Sequence, residues 1–332
     1  SIGALLMLSG RKHEKKIQKR EGYIIVTLGW LMMVITGMIP FILTNSMVDI
    51  SSTFFETMSG YTATGATILT DIESLPAGIL FWRSMTHWIG GMGIIVLAVA
   101  ILPLLGIGGM QLFSAESPGP NNDKLHPRIT DTAKRLWFIY VSFTLVEAIL
   151  LSIAGMSIFD AINHAMSTMA SGGFSTKNNS LAYWNNSPWI QYIIIIFMFL
   201  AGSNFVLIYF AIKGKLYKVY NDSEFKTFFM FIIIFSLIVF SVLINSVNLS
   251  NDLFEHPQIW GKLESSLRHS FFQVIAIVTT TGFVTADYTA WTPFLTIFFF
   301  GLMFLGGSAG STSGGIKVVR HLLMIKGGIL EF

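Results

Sequence analysis

Three short stretches set Thr or Ser beside Gly within otherwise apolar sequence: Thr62-Ala63-Thr64-Gly65, Ala170-Ser171-Gly172 and Thr280-Thr281-Gly282. Each follows about a dozen helix-compatible residues, and another Thr comes soon after each glycine. Glycine reaches backbone angles that turn carbonyls toward a common axis. A ring of such carbonyls can replace the water around a K+ ion, and Thr and Ser hydroxyls add hydrogen bonding. The preceding stretch Asp49–Gly60 would be about 18 Å long as a helix, enough to reach halfway into a membrane. Asp49 and Asp160 stand where N-caps are expected, so the helix C-termini would turn their partial negative charge inward.

The elements that must position these stretches are membrane spans. The 332 residues are 53% hydrophobic and 12% charged, against about 25% charged in an ordinary soluble domain. There is no cysteine, so disulfides and thiolate metal sites are excluded. A net charge of +3 gives no reason to expect a nucleic-acid partner. Nearly charge-free runs lie at about 22–44, 84–113, 136–158, 188–212, 225–247 and 290–316. Each matches the roughly 20 residues that a bilayer core requires. The fold class expected is therefore all-α, polytopic and membrane-embedded.

Lysine and arginine are distributed unequally. Seventeen of 21 fall at 11–21, 111–135, 211–226 and the C-terminal end, which marks that side as cytoplasmic. Successive basic loops on one side need two crossings between them. The outer segment joining each pair, some 30 to 40 residues, must then dip in and return. Re-entrant backbone of this kind is tolerated where protein buries it or where it lines a water-filled path. Aligned on Gly65, Gly172 and Gly282, the segments repeat at 107 and 110 residues, a period that signals repeated architecture. One such segment alone would read as small residues allowing close helix packing; three at a fixed period read as a filter. The division expected is 1–21 for the end of a preceding span and a basic loop, 22–125 for pore repeat 1, 126–220 for repeat 2 and 221–332 for repeat 3. A fourth glycine at this period would fall near 390, beyond Phe332, so three units of four are expected in this chain.

The outer segments carry nine acids, Asp49, Glu56, Asp71, Glu73, Asp160, Asp252, Glu255, Glu264 and Asp287, against three bases, which would concentrate cations at the mouth. Within spans, Glu147 is expected to pair with a base of another repeat. Arg83 and His87, one turn apart, read as a structural pair near the outer interface. Trp82, Trp88, Trp184, Trp189 and Trp291 read as interfacial anchors. Residues 290–330 would form one long helix but for Gly306–Gly315, where five glycines and three serines, at about 1 kcal/mol per Gly, should unwind it. That stretch is no phosphate-binding loop, since Ile316 stands where Gly should precede Lys317. Ser311 and His321 on one element do not suggest a serine protease, so no enzyme is expected.

Together these residues resemble the TrkH/TrkG potassium-uptake family, within the superfamily that includes KtrB. The likeness rests on Thr62-Ala63-Thr64-Gly65-Ala66-Thr67, Ser171-Gly172-Gly173-Phe174-Ser175-Thr176 and Thr280-Thr281-Gly282-Phe283. The loops Ala115–Pro120 and His126–Ala133, and the run Gly306–Lys317, add to it. The resemblance implies a pseudo-tetrameric pore that takes up K+ across the bacterial inner membrane, with K+ bound at the filter residues and no covalent cofactor. It implies that Gly306, Gly307, Ser308, Ala309, Gly310, Ser311, Thr312, Ser313, Gly314 and Gly315 form an intramembrane gating loop. It also implies a homodimer and a cytosolic, nucleotide-binding TrkA-like subunit that gates conduction. Gly65, where relatives permeable to Na+ carry Ser, favours K+; Ser308 and Ser313 depart from the Cys and Gly common in the family loop. The alternative expectation is a secondary transporter coupled to Na+ or H+, although such proteins usually show inverted repeats, whereas these three units share one orientation.

Overall fold

The computed structural model describes residues 19–47, 49–93, 129–246 and 257–331. Helices dominate, and the three units follow one plan: a long outer helix, a helix that ends inside, an extended return strand, and a second apolar helix that breaks after 10 to 14 residues or runs into a π-helical turn.

In repeat 1, α1 (Lys19–Gly37) and α2 (Ile39–Leu43) make a candidate span over Val26–Leu43. The short helix α3 (Ile50–Tyr61) begins at Asp49, whose carboxylate accepts from the Ser52 amide at 2.9 Å. That amide and the Ser52 hydroxyl hold the Asp49 carboxyl below its ordinary range, so it stays charged at the outer surface. After the strand comes α4 (Ala77–Trp88), continued by a π-helical turn at Ile89–Gly93. The expected spans' remainder over 94–113, and the expected preceding helix and basic loop up to residue 18, lie outside the described residues.

Repeat 2 runs through α5 (Ile129–Ile153), the short helix α6 (Ile158–Met169), a 3₁₀ turn at Ser180–Trp184, and α7 (Pro188–Ala201). The cap of α6 is Ser157, not the expected Asp160: the Ser157 hydroxyl accepts from the Asp160 amide at 3.0 Å, and Asp160 sits in the first turn. The expected single span 188–212 is instead two helices. Gly202-Ser203-Asn204 ends α7, and α8 (Phe205–Ile212) leaves at a bend of 107° with Asn204 as its N-cap. A short surface helix, α9 (Leu216–Asn221), leads to repeat 3. That repeat comprises α10 (Ser223–Ser246), the short helix α11 (Lys262–Val278), α12 (Pro293–Leu302) and α13 (Val318–Glu331). Between α12 and α13 the chain is not helical, and Leu305 bridges Ile316 across the base of the loop.

The usual inside-out order of a soluble protein is reversed. The long helices expose apolar residues such as Leu28, Met32, Ile149, Phe229 and Leu237, as a surface facing lipid does. The short helices α6 and α11 lie at the centre and bury Asn163, Ser167, Ser265, Ser266 and Ser270. An apolar shell wraps them: Phe228, Ile232 and Val239 of α10 pack against Phe272 and Ile275 of α11. Of the expected interfacial tryptophans, Trp189 is exposed, but Trp184 and Trp291 are buried. Trp82 donates to the Gly37 carbonyl at 2.9 Å and Trp88 to the Thr144 hydroxyl at 3.0 Å, so both bind helices together instead of marking the interface.

At Gly90 the π-helical turn passes so close to Tyr61 that a Cβ would strike its backbone carbonyl, whereas at Gly78 a Cβ would meet no described atom. Gly90→Ala should therefore cost about 1–3 kcal/mol, as overpacking against rigid backbone does. Gly78→Ala should change stability by no more than about 0.5 kcal/mol. Thermal melting of the two purified variants beside the parent checks both values.

Candidate ion-conduction site

The three short helices end in the same way. Each passes through its C-cap, at Thr62, Ala170 and Thr279, into a residue with left-handed backbone: Ala63 (φ 50°), Ser171 (φ 54°) and Thr280 (φ 56°). Two residues later comes a left-handed glycine: Gly65 (φ 76°), Gly173 (φ 80°) and Gly282 (φ 76°). Non-glycine residues held there cost of order 1–3 kcal/mol each and are retained where surrounding structure fixes them. The equivalent glycines are therefore 65, 173 and 282, separated by 108 and 109 residues. This corrects the expected alignment: Gly172 matches Thr64 and Thr281, while Gly173, absent from the expected filter set, matches Gly65 and Gly282.

These strands lie side by side in rotational order. A Cβ on Gly65 would strike the Gly172 carbonyl oxygen, and a Cβ on Gly173 would strike the Thr281 carbonyl oxygen. A Cβ on Gly282 would meet no described atom. At the inner end, the Thr62 hydroxyl donates to the Met58 carbonyl at 2.7 Å and lies 2.8 Å from the Thr64 hydroxyl. The third strand repeats this pattern, with Thr279 donating to Ile275 at 2.6 Å and lying 2.9 Å from Thr281. These threonines tie the strands back to their helices.

One position on each short helix, six residues before its C-cap, grips the returning strand. In repeat 1 it is Glu56, which accepts from the Thr67 hydroxyl at 2.9 Å and the Ile68 amide at 3.2 Å. In repeat 2 it is His164, whose Nε2 lies 2.9 Å from the Ser175 hydroxyl. In repeat 3 it is Gln273, which donates to the Thr285 hydroxyl at 3.2 Å. Carboxylate, imidazole and amide thus do the same job at 108- and 109-residue spacing.

Further bonds join each repeat to the next. Arg83 of α4 meets Glu56 at 2.7 Å, and both side chains are essentially fully buried. Its guanidinium also donates to the Ser175 carbonyl at 3.1 Å and sits 3.5 Å above the Phe174 ring. His87 stacks on the other side of that ring region, 3.8 Å between centroids, and its Nδ1 is 3.0 Å from the Ser167 hydroxyl. Between repeats 2 and 3, Asn185 donates to the Thr285 carbonyl at 3.1 Å, and the Ala182 amide to Val284 at 3.0 Å. The expected pairing of Arg83 with His87 is thus replaced by two separate anchors on the second strand, and Arg83 does not reach for the interface. Glu56, expected among the acids of the mouth, is neutralised inside. Glu264 likewise pairs with buried Arg268 at 2.8 Å. Acids that do face outward are Asp49, Asp71 and Glu73, the last 3.5 Å from Lys177; Asn178 donates to Asp71 at 3.0 Å and holds its carboxyl below the ordinary range. Asp252 and Glu255 lie outside the described residues. The base expected for Glu147 is not found: among the described residues no base forms an ion pair with this buried carboxyl group and no hydrogen bond reaches either of its oxygens.

The loop Gly306–Gly315 sits against the inner ends of two strands. The Thr312 hydroxyl is 2.9 Å from the Ser171 hydroxyl and donates to the Met169 carbonyl at 2.9 Å. The Gly314 amide donates to the Thr280 hydroxyl at 2.7 Å. The loop hangs from the α7–α8 elbow, where Ser308 donates to the Gly202 carbonyl at 2.9 Å and Phe205 donates to Gly310 at 3.2 Å. The Ala309 amide donates to Glu224 at 2.6 Å, and Ser311 and Ser313 bond each other at 2.8 Å. Lys317 donates to the Ser313 carbonyl. Glu224 carries no signal of this contact in the sequence, since an acid in the first turn of a helix is ordinary.

Removing Arg83 while leaving Glu56 would strand a buried charge, which costs about 3–5 kcal/mol. Arg83→Met should lose that much, and Glu56→Gln in the same chain should restore most of it, because the amide oxygen can still accept from Thr67. Thermal melting of the single and double variants checks this; additive losses would show that the pair is not what binds these strands.

The amino-acid sequence matches the family model described as "TrkH: Cation transport protein" over residues 1–332. It is 45% identical over 334 residues to the Trk system potassium uptake protein TrkH of Escherichia coli K12, covering all of this chain and 67% of that protein. It is 37% identical to the Trk system potassium uptake protein TrkG of the same organism, covering 98% of this chain and 65% of the relative. The crystal structure of the potassium transporter TrkH from Vibrio parahaemolyticus superposes with a TM-score of 0.82 at 37% identity, over 99% of this chain and 66% of that one. The chain thus spans about two thirds of the length of these relatives. With its family model matched from end to end, the chain belongs to the TrkH family of cation transport proteins and is a membrane-embedded transporter component, not an enzyme.

Proposed function

We propose that this chain supplies three of the four walls of a pore for potassium uptake across the plasma membrane. The observation that carries this reading is the matched geometry of the three strands. Left-handed Gly65, Gly173 and Gly282 occupy equivalent places, and neighbouring strands approach too closely for side chains. Carbonyls presented by such strands replace the hydration shell of K+. The inward-pointing C-termini of α3, α6 and α11 add partial negative charge at the inner end, and ionised Asp49 and Asp71 favour cations at the outer end. The relatives' names supply the ion, potassium. In this rotational order a fourth strand would stand beside Gly282.

In the same reading, Gly306–Gly315 is the gate. It lies directly beneath Ser171 and Thr280, has no helix of its own, and is held there by hydrogen bonds from Thr312, Gly314 and Ala309, which must be exchanged for it to move aside. A cytosolic TrkA-like nucleotide-binding subunit acting from the basic side, and pairing of two copies, complete the proposal; the family resemblance supports both.

The test is ⁸⁶Rb⁺ uptake into proteoliposomes holding this sequence together with the remaining third that its relatives carry. Gly282→Ser puts a side chain on left-handed backbone and, with the fourth strand beside it, crowds the carbonyl of that neighbour as a Cβ at Gly65 or Gly173 would. It should lower Rb+ uptake and admit Na+, while Glu224→Gln, which weakens the hold on Ala309, should raise basal uptake. Unchanged selectivity in Gly282→Ser would remove these strands as the filter and bring forward an ion-coupled transporter.

A further inference from the structure

Beside the α7–α8 elbow lies a cavity of about 380 Å³ that no step of ion conduction uses. Its walls come from five helices: Phe143 of α5, Phe199 of α7, Leu207 of α8, Val219 of α9 and Phe225 of α10, with Asn204 at the elbow itself. The lining is almost wholly apolar, and its rim includes Ile212, which is exposed. In a chain embedded in a bilayer, an apolar slot with an exposed apolar rim opens toward acyl chains.

What stands over the slot is charged. Just beyond Ile212 the chain turns through Lys213-Gly214-Lys215 into α9, which carries Lys218, and all three lysines are exposed. Lys218 lies 4.0 Å over the Phe210 ring, and its neighbour Val219 lines the slot, so α9 adjoins it. Leu216, Tyr217 and Tyr220 are exposed on the same hairpin, the composition of a segment seated at headgroup level. The nearby acids offset only part of this charge, and both are engaged elsewhere. Asp222 accepts from the Phe225 amide at 2.7 Å, capping α10, and Glu224 is buried against Ala309. An apolar slot and a cluster of exposed lysines flanking its lining residues Ile212 and Val219 match the two halves of one kind of molecule.

We propose that this cavity binds an anionic phospholipid of the leaflet the lysines face, with an acyl chain among Phe143, Phe199, Leu207 and Phe225 and the phosphate at Lys213, Lys215 and Lys218. A zwitterionic lipid shares the chain but lacks the net charge, and each lysine near a membrane surface adds about a fivefold preference for anionic lipid. The bound chain touches the elbow from which Gly306–Gly315 hangs, since Asn204 lines the cavity and Phe205 bonds Gly310.

The experiment reads binding and does not depend on ion flux. Full-length protein in phosphatidylcholine nanodiscs is irradiated with trace phosphatidylglycerol or phosphatidylcholine carrying a diazirine on the acyl chain, and labelled residues are mapped by mass spectrometry. The phosphatidylglycerol probe should label the Phe199–Leu207 region at least about tenfold more than the phosphatidylcholine probe. Lys213→Gln, Lys215→Gln and Lys218→Gln together, all surface changes, should bring it to the phosphatidylcholine level, and Ala211→Trp should suppress labelling by filling the slot. Equal labelling by both probes, or phosphatidylglycerol labelling indifferent to the lysine changes, would reduce the site to ordinary lipid contact and overturn the proposal. No labelling by either probe would overturn it too, and would leave the lysines to a soluble partner.

Discussion

Three stretches of extended backbone interrupt the helices of a membrane-embedded chain, where irregular backbone is tolerated only if protein buries it or it lines a water-filled path. Everything else in the structure answers to that constraint. Each strand is fastened at its inner end by the left-handed turn after its helix, and at its outer end by a single side chain six residues before the helix C-cap: Glu56, His164 or Gln273. The three side chains differ in charge and chemistry. What is common is their reach to the returning strand two or three residues past its left-handed glycine, so three chemistries serve the same fastening.

The fastening of one repeat to the next follows from the same need. Arg83 leaves its own repeat to bond the Ser175 carbonyl and cover Phe174, and Asn185 and Ala182 perform the equivalent service for the third strand. A buried ion pair is in general a poor source of net stability. Here Glu56 and Arg83 each hold a strand of a different repeat, which makes the pair a device for register between repeats. The polar interior that results requires an apolar exterior, and the long helices supply it. The elbow at Gly202-Ser203-Asn204 and the loop at Gly306–Gly315 are the two places where a second long helix gives up its hydrogen bonds, and each accepts the other's: Gly202 takes the Ser308 amide and Gly310 takes the Phe205 amide.

Much of this was legible in the sequence, and the reasons are local. Charge-free runs and lopsided lysines give the spans and the re-entrant segments, and the Thr/Ser-Gly pattern marks the strands. The register of the second strand was not legible from glycine alone, because Gly172-Gly173 offers two choices one residue apart. A signal was present: Met58-Ser59 recurs as Met166-Ser167, 108 residues on, which selects Gly173. The elbow in 188–212 was hidden because both halves are equally apolar, although Gly202 and Asn204 carry the stop and start signals of two helices. Glu56 was read as a mouth acid because an acid near an outer segment says nothing about a guanidinium 27 residues away. The burial of Trp184 and Trp291 was equally out of reach, since it depends on which helices meet.

The account stands on Gly65, Gly173 and Gly282 facing one axis with their neighbouring carbonyls. The most direct test is anomalous diffraction from crystals of the full-length protein grown in Tl+, a heavy stand-in for K+. The account predicts Tl+ peaks on the axis that these three strands surround, within direct coordination of their carbonyl oxygens. Peaks confined to the outer carboxylates of Asp49 and Asp71, with none between the strands, would contradict it.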